Sequence, residues 1–137
     1  MKIGFALAAL TLGTLATLTV SDSVVAEESL EGKMAITATR DTKTNELTLL
    51  IKGKEATVYV NTEYDLKCTL AIESGGALGK TELRKADAKF EDAGKPGKAK
   101  SATLKTSANK IVSGDCKIVA CTDNSCSSPF KVAFKSN

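Results

Sequence analysis

Four cysteines limit the folds open to this chain more than any other feature of its sequence. Cys116, Cys121 and Cys126 lie close together near the carboxyl end, and Cys68 lies in a strand-like run far upstream. A small chain with four cysteines and no histidine is typical of an exported, disulfide-bonded domain rather than of a zinc protein. We therefore predict two disulfides, no metal site and no cofactor.

The spacing of the cysteines separates the three possible connectivities. Cys116 and Cys121 lie on one predicted strand, where their separation corresponds to roughly 16 Å, which is more than a disulfide can bridge. Their odd spacing also places them on opposite faces of that strand. If residues 122–125 form a hairpin loop, Cys121 faces Cys126 across it. This geometry favours the pairs Cys121–Cys126 and Cys68–Cys116. The spacing of the second pair resembles that of the bridge between the two sheets of immunoglobulin-like domains.

The predicted hairpin assigns the core-facing side of the chain in two incompatible ways. The strand pattern turns Cys116 and Ile118 inward, whereas pairing across the loop places Cys121 on the face of Phe130. Both faces can meet the core only after a one-residue slip in register. The proline in residues 127–129 cannot donate to a ladder, so we predict a β-bulge there.

Residues 1–26 have the layout of a secretory signal peptide. A lysine precedes an apolar run over residues 3–20, and a small-residue cleavage site ends at Ala26. The alternative is a membrane anchor, but the run has borderline length, many small residues and no basic cluster after it. We predict cleavage after Ala26, a flexible lead over residues 27–33, and a periplasmic or secreted protein with no stable membrane span.

The charge of the chain favours a protein or envelope partner over nucleic acid. The formal net charge is +3, and the lysines are spread along the whole sequence. This distribution is typical of solvated strand faces and not of a nucleic-acid footprint. The absence of histidine also excludes Ser-His and Cys-His nucleophile pairs.

Short alternating runs separated by turn residues predict an all-β fold over residues 34–137. Their number and spacing favour an immunoglobulin-like antiparallel β-sandwich of about seven or eight short strands. The clearest run covers residues 66–72, where apolar residues alternate with polar ones. We also predict a strand at residues 56–60 and an edge strand at residues 101–106, and irregular structure at residues 81–90.

Three short motifs carry a resemblance to known proteins. They are V-Y-V-N-T-E-Y-D-L-K at residues 58–67, K-A-D-A-K-F at residues 85–90 and A-C-T-D-N-S-C at residues 120–126. In this order they resemble a family of small exported bacterial β-sandwich proteins of uncharacterised function. That family is similar to the immunoglobulin-like N-terminal domain of the thiol:disulfide interchange protein DsbD. The resemblance implies the same fold.

The chain departs from the pattern of this family at three positions. Asp65 stands where the family usually has proline, and Cys68 and Cys116 stand where apolar or hydroxyl residues are usual. The joint presence of the two cysteines supports their pairing. The resemblance also places Cys121 and Cys126 at the redox pair of the DsbD domain, although the loop between them is shorter here.

Two functions are compatible with these features. The main hypothesis is a non-enzymatic binding or structural module of the cell envelope, with Asn61, Tyr64 and Asp123 as candidate binding residues. The alternative is thiol–disulfide exchange through Cys121 and Cys126. An exchange thiol needs a lowered pKa, and the loop has no CxxC turn or helix start to supply it. The carboxylate of Asp123 would act in the opposite direction.

Overall fold

The computed structural model describes residues 30–137, and the predicted signal peptide lies outside these residues. The described chain forms ten strands and two short 3₁₀ turns. The strands are β1 (Met34–Asp41), β2 (Glu46–Gly53), β3 (Tyr59–Asn61), β4 (Lys67–Ile72), β5 (Glu82–Arg84), β6 (Lys89–Lys95), β7 (Lys98–Ser107), β8 (Val112–Ile118), β9 (Ala120–Cys121) and β10 (Phe130–Lys135). The 3₁₀ turns cover Leu30–Lys33 and Lys85–Asp87.

Six of the strands form one antiparallel sheet, here called sheet A, which is centred on β7. One edge of β7 pairs with β2 and, farther along, with β3, while the other edge pairs with β6. β1 extends the sheet beyond β2, and β9 extends it beyond β3. β2 and β3 pair with the same edge of β7 because the chain between them leaves the sheet in an exposed turn. In this turn the Val58 amide donates to the Glu55 carbonyl at 3.1 Å.

The other four strands form sheet B in the order β10-β8-β4-β5. Every neighbouring pair is antiparallel. Gly114 in β8 makes room for this packing, because a Cβ there would overlap the Thr69 carbonyl and would meet the Phe134 ring at 3.1 Å. Glycine is therefore required at this position for the close approach of β8 to β4.

The core lies between the two sheets and contains inward-facing residues of both. Sheet A contributes Leu47, Leu49, Ile51, Val60, Ala102, Leu104 and Ala120, and sheet B contributes Cys68, Leu70, Leu83, Val112, Cys116, Ile118, Phe130 and Phe134. These residues alternate with exposed ones along their strands, as expected when each sheet buries one face. The prediction of an all-β sandwich with two disulfides is confirmed.

Several local predictions are wrong in detail. The strand predicted at residues 56–60 is reduced to β3, because the residues before it form the exposed turn. The segment predicted as irregular contains β5, a 3₁₀ turn and the start of β6. The strand predicted as an edge is part of β7, which is central because β6 covers its second edge. The extra short strands also raise the total from the predicted seven or eight to ten.

The long disulfide has the predicted partners but the wrong setting. Cys68 is bonded to Cys116, and the two residues lie directly opposite each other on β4 and β8, with Cα atoms 3.9 Å apart. Both strands belong to sheet B, so the comparison with a bridge between sheets does not hold. The bridge joins neighbouring strands of one sheet, and both of its residues are fully buried in the core.

The cysteine-capped segment is more complex than a simple hairpin. β8 lies in sheet B, the chain crosses to sheet A at β9, and it returns to sheet B as β10. Cys121 faces Cys126 across the loop as predicted. Ile118 faces Phe130, one residue out of step with the cysteine pairing. The register therefore shifts by one residue between the two pairings, as predicted. The shift occurs in residues 127–129, which have no regular structure.

The end of the predicted lead is part of the folded domain. Residues 30–33 form a 3₁₀ turn that contacts β9 and β10. Its apolar residue, Leu30, is half-buried against the core. Burial of this side chain explains why residues 30–33 are packed onto the sandwich.

Loss of the Cys68–Cys116 bridge is expected to destabilise the protein more than loss of the Cys121–Cys126 bridge. The bridges close loops of 48 and 5 residues, for which loop-closure entropy gives about 4 and about 2 kcal/mol. Alanine at Cys68 and Cys116 also leaves a cavity in the core. Urea denaturation of the two double alanine variants measures both costs. Equal costs, or a larger cost for the short bridge, would contradict this ranking.

Candidate functional site

Asn61 ends β3 and forms the corner that leads into sheet B. Its side-chain Oδ1 accepts hydrogen bonds from the backbone amides of Glu63 at 2.7 Å and Tyr64 at 3.0 Å. This is the Asx-turn arrangement that asparagine favours, because its short side chain replaces a backbone acceptor. The half-buried Asn61 is thus held in one orientation, with its amide nitrogen left to contact other groups.

The Cys121–Cys126 bridge lies on the outer face of sheet A. Cys121 of β9 faces Tyr59 of β3, and the next pair, Ala120 and Val60, is buried in the core. Because side chains alternate along a strand, Cys121 and Tyr59 point away from the core. Cys121 is nevertheless fully buried, whereas Cys126 is exposed.

The amide of Asn61 faces both sulfur atoms of this bridge. Its Nδ2 lies 3.5 Å from the Sγ of Cys121 and 3.8 Å from the Sγ of Cys126. Hydrogen-bond donors stabilise negative charge on sulfur, which favours a thiolate over a thiol. Asn61 therefore connects the corner to the disulfide and can stabilise a leaving thiolate at the buried sulfur.

The turn between β6 and β7 contacts the same region. Lys95 forms an ion pair with Asp123 at 3.3 Å, and Lys98 donates to the Asp123 backbone carbonyl at 3.4 Å. The Thr62 amide donates to the Gly97 carbonyl at 3.0 Å. Gly97 follows Pro96 in the tight turn and has a φ of 72°, a conformation that glycine adopts without strain.

Three loops from distant parts of the sequence therefore meet at one end of the sandwich. We call them the loop cluster, defined as residues 61–65, 94–98 and 121–126. A groove of about 550 Å³ lies beside the β6–β7 turn, and Thr62 and Phe90 contribute to its wall. The loop cluster is held by a covalent bond, an ion pair and several hydrogen bonds, so its shape is largely preformed.

The structure brings most of the predicted site residues together. Asn61, Asp123, Cys121 and Cys126 all belong to the loop cluster and are linked by the contacts above. Tyr64 also lies in the loop cluster, but it packs against the core and only part of it remains accessible.

Sequence reasoning missed the contribution of the β6–β7 turn. Lys95 and Lys98 flank the Pro96-Gly97 turn, which is recognisable in the sequence as a turn. Its contact with residues 121–126 depends on the pairing of β7 with β3, which no local pattern shows. The turn signal could have identified a loop, but not its neighbours.

A second pocket, of about 630 Å³, lies elsewhere on the outer face of sheet A. Tyr59 and Leu50 form part of its wall, and Lys52, Lys54 and Lys100 surround them. Within residues 30–137, none of these three lysines forms an ion pair with a carboxylate. Tyr59 is thus shared between this pocket and the strand pair that contains Cys121.

Charged groups also fix the edge of sheet B beside the corner. Arg84 contacts Glu82 at 2.6 Å and Asp65 at 3.3 Å, and the hydrogen bond with Glu82 is the main reason why the pKa of Arg84 is raised. Asp87 accepts from the Lys80 ammonium and from the Arg84 amide, and these bonds lower its pKa. All of these groups lie at the surface, where ion pairs contribute little to stability.

No protein-family model, curated protein or solved structure significantly matches this chain. Within residues 30–137 there is no cluster of three or more side chains that could hold a metal ion. The same residues contain no helix long and apolar enough to span a membrane.

The acceptor role of Asn61 can be separated from its donor role. Asn61→Ala removes the two hydrogen bonds of the Asx turn and is expected to cost about 1–2 kcal/mol. Asn61→Asp keeps the acceptor oxygen, so the free energy of unfolding should decrease by no more than half as much as in Asn61→Ala. Urea denaturation of both oxidised variants measures the difference. If the two variants unfold at the same urea concentration, the turn does not stabilise the corner.

Proposed function

We propose that this protein is an exported β-sandwich that acts as a non-enzymatic binding or structural module of the cell envelope. Its partner, an envelope protein or another envelope component, would contact the loop cluster. The observation that carries this proposal is the convergence of three loops, locked together by the Cys121–Cys126 bridge, the Asx turn of Asn61 and the Lys95–Asp123 pair.

Preformed loops lower the entropic cost of association, since fewer side chains and backbone torsions become ordered on binding. Loops at one end of a rigid sandwich are also where binding residues are most often found. The loop cluster adds chemical variety, with exposed Asp123 and Asn124, a half-buried amide at Asn61 and a groove beside Phe90. These features fit recognition of a protein surface better than a reaction centre.

The proposed location rests on cysteine chemistry. All four cysteines are in disulfides, which fits an oxidising compartment such as the periplasm or the extracellular space. The signal peptide predicted at residues 1–26 would deliver the chain there. The motif resemblance to small exported bacterial sandwich proteins and to the immunoglobulin-like domain of DsbD supports the same location and an immunoglobulin-like relationship.

Site-specific photo-crosslinking in cells that produce the protein tests this proposal. Benzoylphenylalanine at Glu63 or Asp123 should give a discrete adduct, because both positions are exposed in the loop cluster. The same residue at Lys43 or Thr44, in the β1–β2 turn at the other end of sheet A, should give none. Adducts of equal yield at both ends, or no adduct at either, would contradict the proposal.

A second function, thiol–disulfide exchange, is favoured by one specific asymmetry. Cys126 is exposed, whereas Cys121 is fully buried and its sulfur faces the Asn61 amide. A partner thiolate would attack Cys126 and form a mixed disulfide, releasing Cys121 as a thiolate. A second partner thiolate would then attack the partner's sulfur in that mixed disulfide. The products are a partner disulfide and the reduced Cys121/Cys126 pair.

Single variants test the direction of this exchange. Cys121→Ala leaves the exposed Cys126 as a free thiol, which can attack the partner in its disulfide form, the reverse of the step above, and release one partner thiolate. Because the variant lacks the Cys121 thiol that would displace the partner, the mixed disulfide should accumulate. Cys126→Ala is the matched control, because its remaining thiol is buried. Alkylation followed by non-reducing electrophoresis detects the adducts. If neither variant traps a partner, or if both trap the same one equally, the asymmetric exchange is ruled out.

A further inference from the structure

The outer face of sheet B carries a row of four cations, one on each strand. Lys131 of β10 faces Lys117 of β8, Lys117 faces Lys67 of β4, and Lys67 faces Arg84 of β5. All four residues are exposed. Neighbouring strands lie about 4.8 Å apart, so the row extends over roughly 14 Å in a direction perpendicular to the strands. We call these four residues the cation row.

This arrangement is unfavourable for the isolated protein. Like charges directly opposite each other on neighbouring strands lower the stability of a sheet. Arg84 is compensated by Glu82 and Asp65. Within residues 30–137, Lys67, Lys117 and Lys131 have no carboxylate within ion-pair distance. In the described part of the chain, these three adjacent positive charges are therefore not paired with a carboxylate.

A covalent bond holds the cation row in register. Cys68 and Cys116 form the next pair along β4 and β8, directly beside Lys67 and Lys117. The disulfide points into the core and the lysines point to solvent, because successive residues alternate between the faces. The strands are thus tied together at the point where their lysines repel each other.

The shape of the positive region is a line and not a broad patch. The next outward-facing row across the sheet is Ala133, Asp115, Thr69 and Glu82, which contains two carboxylates and no cation. A flat anionic membrane would meet these carboxylates together with the lysines. A linear anionic chain could follow the cations alone.

We propose that the cation row binds a linear, phosphate-bearing polymer of the cell envelope that crosses the strands of sheet B. The lysine ammonium group is compact and has three donors, which suits a series of phosphate groups. A nucleic acid is disfavoured because its single strands stack bases on aromatic side chains. The outward-facing strand residues of sheet B include no aromatic residue.

Binding of long-chain inorganic polyphosphate to the oxidised protein tests this inference. The triple variant Lys67→Gln, Lys117→Gln, Lys131→Gln should weaken binding at least about tenfold at low salt. A plot of the logarithm of the association constant against the logarithm of the salt concentration has a negative slope. The magnitude of this slope should decrease by about 2–3 in the variant, since each lost phosphate contact reduces it by nearly one. The variant should melt no lower than the parent, because the substitutions relieve repulsion.

The matched control removes the same charge from the outer side of sheet A, at β2, β7 and the turn after β2. Lys52, Lys54 and Lys100 are also free of ion pairs within the described residues, so their triple glutamine variant should change affinity less than about threefold. Equal weakening by the two variants would show a general charge effect and overturn the proposal. It would also be overturned by no binding of polyphosphate at low salt, or by tighter binding to phosphatidylglycerol vesicles or single-stranded DNA.

Discussion

The bridge between Cys68 and Cys116 is the constraint on which the arrangement of sheet B depends. It joins two central strands that are far apart in sequence, directly across one register position. Because side chains alternate with a period of two, a slip by one residue would turn Cys68 and Leu70 to solvent and Lys67 into the core. The disulfide excludes that slip. It thereby fixes which residues of β4 and β8 are buried and which face water.

The second bridge has a different place in the molecule. Cys121 and Cys126 lie outside the core, on the outer face of sheet A, and their bridge closes one short loop instead of joining central strands. The sandwich is stabilised chiefly by its apolar core and the long bridge, whereas the short bridge shapes the loop cluster. This division separates the residues that determine the fold from those available for recognition or for thiol exchange. A change in the loops is therefore expected to affect folding less than a change in the core.

The sequence predicts the fold where local pattern and global packing agree. Alternation at Leu66, Cys68 and Leu70 predicted β4, and the odd spacing of Cys116 and Cys121 excluded their pairing. Local patterns were insufficient where the assignment depends on distant partners. β6 is charged and lies at an edge, so it lacks the apolar alternation by which strands are recognised. Because β6 is not recognisable, the sequence predicts an edge strand where β7 is in fact central.

Local sequence patterns were also insufficient to show which residues of the candidate sites lie next to each other. Asn61 and Asp123 could be selected from turn chemistry, but their link through the β6–β7 turn depends on strand pairing. The lysines looked evenly spread because those of the cation row come from three separate strands. Only the register shows that they are neighbours. Cross-strand position is set by the whole sheet, and a single stretch of sequence does not contain it.

The most direct test of this account is disulfide mapping of the oxidised protein after tryptic cleavage under non-reducing conditions. Cleavage after Lys67, Lys80, Lys110, Lys117 and Lys131 separates the two bridges. The account predicts that peptide 68–80 is linked to peptide 111–117, and that peptide 118–131 carries an internal disulfide. A link from peptide 118–131 to either of the other two would contradict the framework, and with it the assignment of core and loop-cluster bridges.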